Sequence, residues 1–256
     1  MKLPLIASLM TASLLATAIF AGSAPTATAP GAPVPVLLEL FTSEGCSSCP
    51  PADRLLEALD RQPVADADLI VLSEHVDYWN YLGWRDPYSS PAFSARQQKY
   101  AERLGTSVYT PQLVIDGHLQ ATGSDQHEVT DAIGRAVHDA KLPISVRAIR
   151  SGSGASVHVD GNSFGKSVDL YLAIAADHMS SHVLRGENGG RTLTHVAVAQ
   201  SIVKVGKWEG SGLAGRDVPL TAKQIPAPEQ AGGTRVIAIL QDPQTGRILG
   251  VAQARI

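Results

Sequence analysis

The sequence predicts an α/β domain followed by an all-β domain, and two observations lead to this prediction. In the first half, buried apolar runs alternate with segments of helical spacing, as in strand–helix–strand units. Beyond Pro143, short alternating segments separated by Gly, Asn, Asp and Ser replace the helical pattern, which is typical of an immunoglobulin-like β-sandwich. We therefore expect domains at residues 36–141 and 142–256.

The first 35 residues are not expected to belong to either domain. A lysine at position 2 and an apolar run ending in small residues predict a secretory signal peptide over residues 1–23. The run is also long enough for a retained membrane anchor. Residues 24–35, rich in Ala, Pro and Thr, predict a linker. We thus expect a periplasmic or secreted protein with no stable membrane span after cleavage.

The first domain is predicted to begin with a strand–helix–strand unit. The apolar run from Val36 to Phe41 reads as a buried strand, and Pro50 and Pro51 then open a helix because proline is tolerated in a first turn. The stretch "ADLIVLSEHV" is a second buried strand. Such crossovers are nearly always right-handed, so the two strands should be parallel.

A second helix and a hairpin are predicted to follow. Ser90 can cap a helix that Gly105 ends. The stretches "QLVIDG" and "HLQATG" then form a hairpin through an Asp-Gly turn. A third amphipathic helix completes the domain.

Composition argues against several classes of function. The net charge is −3, no run of basic residues occurs and only 5% of residues are aromatic, so nucleic acid is not an expected partner. The chain has no Gly-x-Ser-x-Gly, no phosphate-binding loop and no His-Glu-x-x-His. No cofactor is expected.

Both cysteines of the chain lie in the stretch "EGCSSCPPAD", between the first strand and the first helix. The N-terminus of a helix favours negative charge, which lowers the pKa of a thiol there. Cys46 is therefore the predicted nucleophile, and Cys49 is the predicted resolving thiol for a mixed disulfide. Because Cys-x-x-Cys beside such a unit is typical of thioredoxin-like redox proteins, we expect the first domain to be thioredoxin-like.

Thr110 and Pro111, at the start of the hairpin, are predicted to orient substrate. In thioredoxin-like folds, a cis-proline at the start of this strand packs against the dithiol, and the backbone of the residue before it pairs with a substrate peptide. Cis X-Pro bonds are uncommon and specific, so the likeness implies these roles for Pro111 and Thr110. The alternative is an ordinary trans proline at the start of an edge strand.

Three further residues are candidates for tuning the thiols. His75 and Asp77 follow the second strand, and parallel neighbouring strands end at the same sheet edge, so His75 should lie on the side of Cys46. The alternative for His75 is a loop histidine bonded to backbone. Glu44 is expected to be solvated; near the thiol it would raise the thiol pKa.

A polar stretch in the second domain, "RGENGGRTLTH", allows two interpretations. It is either a loop that contacts the first domain near the dithiol or a long hairpin turn with Gly and Asn at left-handed positions. We favour the hairpin turn.

Four stretches carry a resemblance to a known family. The chain resembles the secreted thioredoxin-like proteins catalogued as domain of unknown function 1223 in "LELFTSEGCSSCPPAD", "HVDYWNYLGWRDPYSSPAFSARQQKYA", "YTPQLVIDG" and "RGENGGRTLTHVAVAQSIVKVGKW". The resemblance implies a thioredoxin-like domain followed by a β-sandwich, and it implies no activity.

A weaker similarity to thioredoxins implies Cys46, Cys49 and Pro111 as nucleophile, resolving thiol and cis-proline. Thioredoxins usually have Trp before the first cysteine and Gly-Pro between the pair. Here Gly45 precedes Cys46 and two serines lie between the cysteines. The direction of a redox reaction therefore does not follow from the resemblance.

Three functions remain open at this point. The first is an exported thiol–disulfide oxidoreductase whose partners are protein thiols or disulfides. The second is a Cu(I)-binding protein that uses Cys46, Cys49 and His75. The third is a non-enzymatic binding module of the cell envelope with a structural disulfide.

Overall fold

The computed structural model describes residues 31–162, 167–209, 213–221, 224–225 and 232–256. The predicted signal peptide and most of the predicted linker lie outside these residues. In chain order, the elements are β1 (Val34–Thr42), α1 (Pro50–Arg61), β2 (Ala67–His75), α2 (Pro91–Leu104), β3 (Gln112–Ile115), β4 (Leu119–Thr122), α3 (Gln126–Ala136), β5 (Ile144–Ser151), β6 (Gly154–Asn162), β7 (Val168–His182), β8 (Thr192–Trp208), β9 (Leu213–Leu220), β10 (Thr234–Gln241) and β11 (Ile248–Arg255).

One mixed sheet of eight strands runs through both halves of the chain, in the order β11-β10-β7-β8-β2-β1-β3-β4. β1 is parallel to β2 and antiparallel to β3. β8 is antiparallel to β7 and meets β2 in parallel register at Ser73 and Val198. A second sheet, in the order β5-β6-β9, packs over β7 and β10 through a shared apolar cluster.

The predicted fold class, a thioredoxin-like α/β domain with a separate immunoglobulin-like sandwich, is wrong. The described residues are mainly β, with three helices, and strands of both halves share one sheet. Without β8, β2 would be an edge strand with unpaired backbone groups. Apolar side chains from both halves, such as Leu37, Ile70 and Ile237, also pack in one cluster.

The predicted helix and hairpin boundaries of the first half are confirmed where capping residues set them. The hydroxyl of Ser90, the N-cap of α2, accepts from the backbone N–H of Ala92, and Gly105 ends the helix with φ at +64°. Pro50 opens α1, and the hairpin of β3 and β4 forms through Asp116 and Gly117. α1 and α3 pack in the same apolar cluster as β1.

A group of charges around the buried Arg235, here called the clamp cluster, ties α1 to the strands of the second half. It consists of Arg235, Asp60, Asp177 and Arg255. Arg235 donates two hydrogen bonds to Asp60, at 2.6 and 2.7 Å, and a third to Asp177. Arg255 donates to the other oxygen of Asp177 at 2.9 Å. The arginine thus fixes the end of α1 against β7 and β10.

None of the three helices within the described ranges has the length and apolar character that crossing a bilayer demands.

Candidate functional site at the cysteine turn

Cys46 and Cys49 form a disulfide at the N-terminal end of α1. Cys49 is the N-cap residue, and its carbonyl accepts hydrogen bonds from the N–H groups of Ala52 and Asp53, at 2.8 and 3.1 Å. The hydroxyl of Ser48 lies 3.4 Å from Cys46 Sγ. The cysteine turn therefore leads directly into the first turn of α1.

The disulfide is covered by a loop from the second half of the chain, residues 183–191, here called the covering loop. Asn188 is fully buried, and its Nδ2 donates to the carbonyls of Glu44 and Cys46, both at 2.9 Å. Glu187 Oε2 accepts from the N–H of Ser47 at 3.2 Å. Cys46 and Cys49 are only 1% and 0% exposed, whereas the two serines between them are exposed.

The covering loop corrects the sequence interpretation of "RGENGGRTLTH". It does link two antiparallel strands, as a hairpin turn does, with Gly186 and Gly190 at positive φ. However, its asparagine bonds directly to the cysteine turn, so the interpretation that was not favoured is the one that the structure supports. The arginine at position 191 donates to Asn188 Oδ1 at 2.7 Å and orients the amide.

Beside the cysteine turn lies a buried group of ionisable side chains, here called the His195 cluster: Glu44, Asp53, His75, Asp86 and His195. All five are at most 6% exposed. His195 Nε2 lies 3.3 Å from Glu44 Oε1, and His195 Nδ1 lies 3.7 Å from Asp53 Oδ1. His75 Nδ1 donates to Asp86 Oδ2 at 2.7 Å. The two imidazole rings meet edge to face, with centroids 4.5 Å apart.

The charges of this cluster shift several pKa values. Burial lowers the pKa of His195, but the carboxylates of Asp53 and Glu44 outweigh burial and raise that pKa to about 10. Burial raises the pKa of Asp86, but His75 and the backbone N–H groups that bond it outweigh burial, so the pKa is lowered. Burial and the carboxylates of Glu44 and Asp86 raise the pKa of Tyr88 to about 12.

The prediction that Glu44 is solvated is wrong, because three donors from outside its own loop surround its carboxylate. Trp84 Nε1 donates to Glu44 Oε2 at 2.7 Å, and the hydroxyl of Ser181 donates to Glu44 Oε1. His195 is the third. Two of the three donors come from β7 and β8, which the sequence analysis placed in another domain.

The other two residues predicted to tune the thiols, His75 and Asp77, lie in different places. His75 joins the cluster, and its ring bonds a carboxylate rather than backbone. Asp77 instead bonds Ser94 at the start of α2, through both its backbone N–H and its carboxylate. It therefore holds a loop against α2 and is not a member of the His195 cluster.

The predicted cis peptide bond between Thr110 and Pro111 is present. Trp79 Nε1 donates to the hydroxyl of Thr110 at 2.8 Å. The tryptophan also packs on the cysteine turn, since a side chain on Gly45 would lie 3.0 Å from Trp79 Cβ. The substrate-orienting role of Thr110 and Pro111 stays a prediction.

Among the residues that the structure describes, no group of three or more His, Cys, Asp or Glu side chains has an arrangement that could hold a metal ion. The copper alternative stays a prediction from the sequence.

The comparisons with known proteins identify the family. The family model described as "Protein of unknown function (DUF1223)" matches residues 37–241, so the chain belongs to this family. The chain is similar to the solved structure of protein AGR_C_4864 from Agrobacterium tumefaciens, with 28% identity and a TM-score of 0.64. That alignment covers 85% of this chain and 92% of that one.

HBP35 of Porphyromonas gingivalis also has a TM-score of 0.64, over 87% of this chain and 75% of that chain. Its identity is 14%, so it shows the fold alone. Both likenesses extend over the two halves of the chain, as expected for one continuous sheet. The comparison with curated proteins gives no match.

Sequence reasoning missed Asp53 and Asp86 as members of the site, whereas Asn188 and His195 lie in the polar stretch whose contact with the first domain was the interpretation not favoured. A signal for His195 was present: it alternates with Leu193 along β8, so a histidine occupies the face of an apolar strand. Asp53 lies one helical turn after Cys49, where side chains share a face.

Proposed function

We propose that this protein is a thiol–disulfide oxidoreductase that uses Cys46 and Cys49 as a reversible couple. The observation that carries the proposal is the Cys46–Cys49 disulfide at the start of α1, beside a buried cluster of ionisable side chains. In the reduced form, the helix N-terminus favours the thiolate of a cysteine, which is the nucleophilic species.

A purely structural role would explain only a small stabilising effect of this disulfide. Closing a loop of four residues constrains the unfolded chain weakly, by about 2 kcal/mol in the chain-entropy model. The clamp cluster and the continuous sheet already join the two halves. A reversible redox role accounts for the placement of the pair at a helix terminus.

The proposed reaction exchanges thiols with a partner protein. A partner thiolate attacks Cys46, the S–S bond to Cys49 breaks, and a mixed disulfide forms. A second thiol of the same partner then attacks the partner sulfur of the mixed disulfide and releases Cys46. The partner leaves oxidised and the pair is reduced; the reverse sequence oxidises the pair. We propose that the protein acts after export, because oxidising compartments permit disulfides.

The second candidate is a non-enzymatic module with an inert disulfide. The observation that favours it is burial, since both cysteines are covered and Asn188 bonds the turn from outside. Under this alternative, the serine substitutions of both cysteines leave the function of the protein unchanged.

Trapping of mixed disulfides separates the two candidates. The Cys49→Ser variant keeps the nucleophile Cys46 but lacks the resolving thiol. Covalent complexes with partner proteins should therefore accumulate in the native compartment. Cys46→Ser is the matched control and should accumulate few. The proposal fails if neither variant forms complexes that dithiothreitol releases.

A further inference from the structure

His195 belongs to the second half of the chain but lies among carboxylates of the first. Its ring is held between Glu44, two residues before Cys46, and Asp53, four residues after Cys49. Both ring nitrogens therefore face a carboxylate. A histidine in this setting can hold and release a proton while it stays fixed in position.

Reduction of the disulfide requires a proton inside the protein. Cys49 is the leaving group when a partner thiolate attacks Cys46, and it is 0% exposed. A thiolate without a partner in this buried place is costly, so protonation at Cys49 favours the step.

Asp53 is placed to reach Cys49. The two residues are four apart, the Asp53 N–H donates to the Cys49 carbonyl at 3.1 Å, and residues at this spacing lie on one face. Because helical side chains lean toward the N-terminus of their helix, we expect the Asp53 carboxylate on the side of Cys49. Asp53 Oδ1 and His195 Nδ1 face each other at 3.7 Å, and neither atom has a closer hydrogen-bond partner among the described residues, so a proton can pass between them.

We propose that the His195–Asp53 pair supplies the proton that Cys49 takes up when the disulfide is reduced, and receives it again on reoxidation. This inference rests on the proposed function. His195 acts here as a positioning residue, because the proton reaches the sulfur through Asp53.

The step balances with a dithiol as the reductant. One thiolate of the dithiol bonds Cys46, the Cys46–Cys49 bond breaks, and the electron pair goes to the Cys49 sulfur, which takes the proton from the pair. The second thiolate of the dithiol displaces Cys46, which is protonated from solvent. The dithiol becomes a disulfide, and solvent returns one proton to the pair.

Two clefts give the pair a path to solvent. A cleft of about 350 Å³ is lined by His195 and Thr194, together with Glu57, Arg61 and His178. A smaller cleft of about 130 Å³ is lined by Asp53, Thr194 and two arginines, Arg54 and Arg191. Each residue of the pair therefore borders a cleft.

The charged environment keeps the pair protonated at neutral pH. The titratable and charged groups that face His195 from the packed elements are Glu44, Asp53, Glu57, Arg61, His75, Asp86, Tyr88 and His178. The two nearest carboxylates hold the pKa of His195 near 10 despite burial. A proton is therefore available through the neutral range.

The test measures how fast dithiothreitol reduces the disulfide of the full chain, followed by mass shift after alkylation. Rates are corrected for the thiolate fraction of dithiothreitol and compared from about pH 6 to about pH 11, which spans the titration of imidazole and thiol groups. The variants are His195→Gln and Asp53→Asn. His178→Gln is the control, because this exposed histidine lines the same cleft.

In the native protein, the corrected rate should fall as pH rises through about 10, where His195 loses its proton. His195→Gln should react about 10²-fold more slowly at neutral pH and lose this fall, while His178→Gln behaves as the native protein. The disulfide of Asp53→Asn should also be reduced more slowly. Its corrected rate should fall at a lower pH than in the native protein, because His195 has lost one of the carboxylates that raise its pKa.

The inference is overturned if His195→Gln is reduced at the native rate with the native pH profile. The proposed function still holds in that case, provided that the disulfide of the native protein is reversibly reduced. If His195→Gln does not fold, the profile of Asp53→Asn decides in the same way. A native disulfide that dithiothreitol does not reduce defeats the proposed function, and the inference with it.

Discussion

Two clusters of charges join the halves of this molecule, and a different type of cation forms the centre of each. In the clamp cluster, arginine N–H groups reach all four carboxylate oxygens of Asp60 and Asp177. In the His195 cluster, imidazole is the cation, and within the described residues Asp53 Oδ1 and His195 Nδ1 have no hydrogen-bond partner.

Because the cations differ, the clamp cluster suits a structural role and the His195 cluster suits a chemical one. Arginine stays charged at every accessible pH and offers a rigid fork of donors, so the clamp cluster can fix geometry but cannot move a proton. Histidine can titrate, and burial among carboxylates shifts where it does so. Only the histidine-held cluster lies beside the disulfide.

Breaking the clamp cluster should give the largest loss of stability. Arg235→Met leaves the carboxylates of Asp60 and Asp177 without their main cation, and an uncompensated buried charge costs about 3–5 kcal/mol. Unfolding in urea at neutral pH measures this loss. The rate at which dithiothreitol reduces the folded protein should not change.

Arg255→Met is the control for this prediction. Arg255 also bonds Asp177 but is 63% exposed, so its loss should cost less than about 1 kcal/mol. Equal costs for the two variants would show that burial does not set the strength of the clamp cluster.

The His195 cluster should instead make stability depend on pH. The folded pKa of His195, about 10, is above the ordinary value of 6.5. Its contribution is therefore fully present below about pH 6.5 and is lost as pH rises through about 10. The difference in unfolding free energy between the native protein and His195→Gln should shrink across this window.

Arg235→Met should show no such change relative to the native protein over the same window, because arginine does not titrate there. A pH-independent difference for His195→Gln contradicts the raised pKa of His195.

The covering loop should have a smaller effect on stability than Arg235, and its loss should speed the reduction of the disulfide, whereas His195→Gln slows it. Asn188→Ala removes the amide that bonds the carbonyls of Glu44 and Cys46, at a cost of about 1–2 kcal/mol. The disulfide should become more exposed, and its reduction by dithiothreitol should be several-fold faster.

Glu187→Gln provides the matched comparison in the same loop. Its side-chain oxygen can still accept from the N–H of Ser47, and this contact is exposed, so stability and rate should stay close to native. An unchanged rate in Asn188→Ala would mean that the covering loop does not limit access to the disulfide.

Local sequence signals predicted many of the elements in the first half of the chain. The pairing of strands from distant parts of the chain was not predicted. Proline at the start of α1, serine and glycine at the ends of α2, and the two cysteines act within a few residues, so they can be read from the sequence. The pairing of β2 with β8 joins distant segments, and no local pattern specifies it. Both the wrong fold class and the missed burial of Glu44 follow from that pairing.

The reduction potential of the Cys46–Cys49 couple decides whether the pair is a reversible redox couple. Equilibrium of the purified protein with glutathione and dithiothreitol buffers, followed by alkylation and mass measurement, gives the value. We expect a potential between roughly −120 and −270 mV, the range of known redox catalysts. A potential below about −300 mV, typical of inert structural disulfides, would contradict the account.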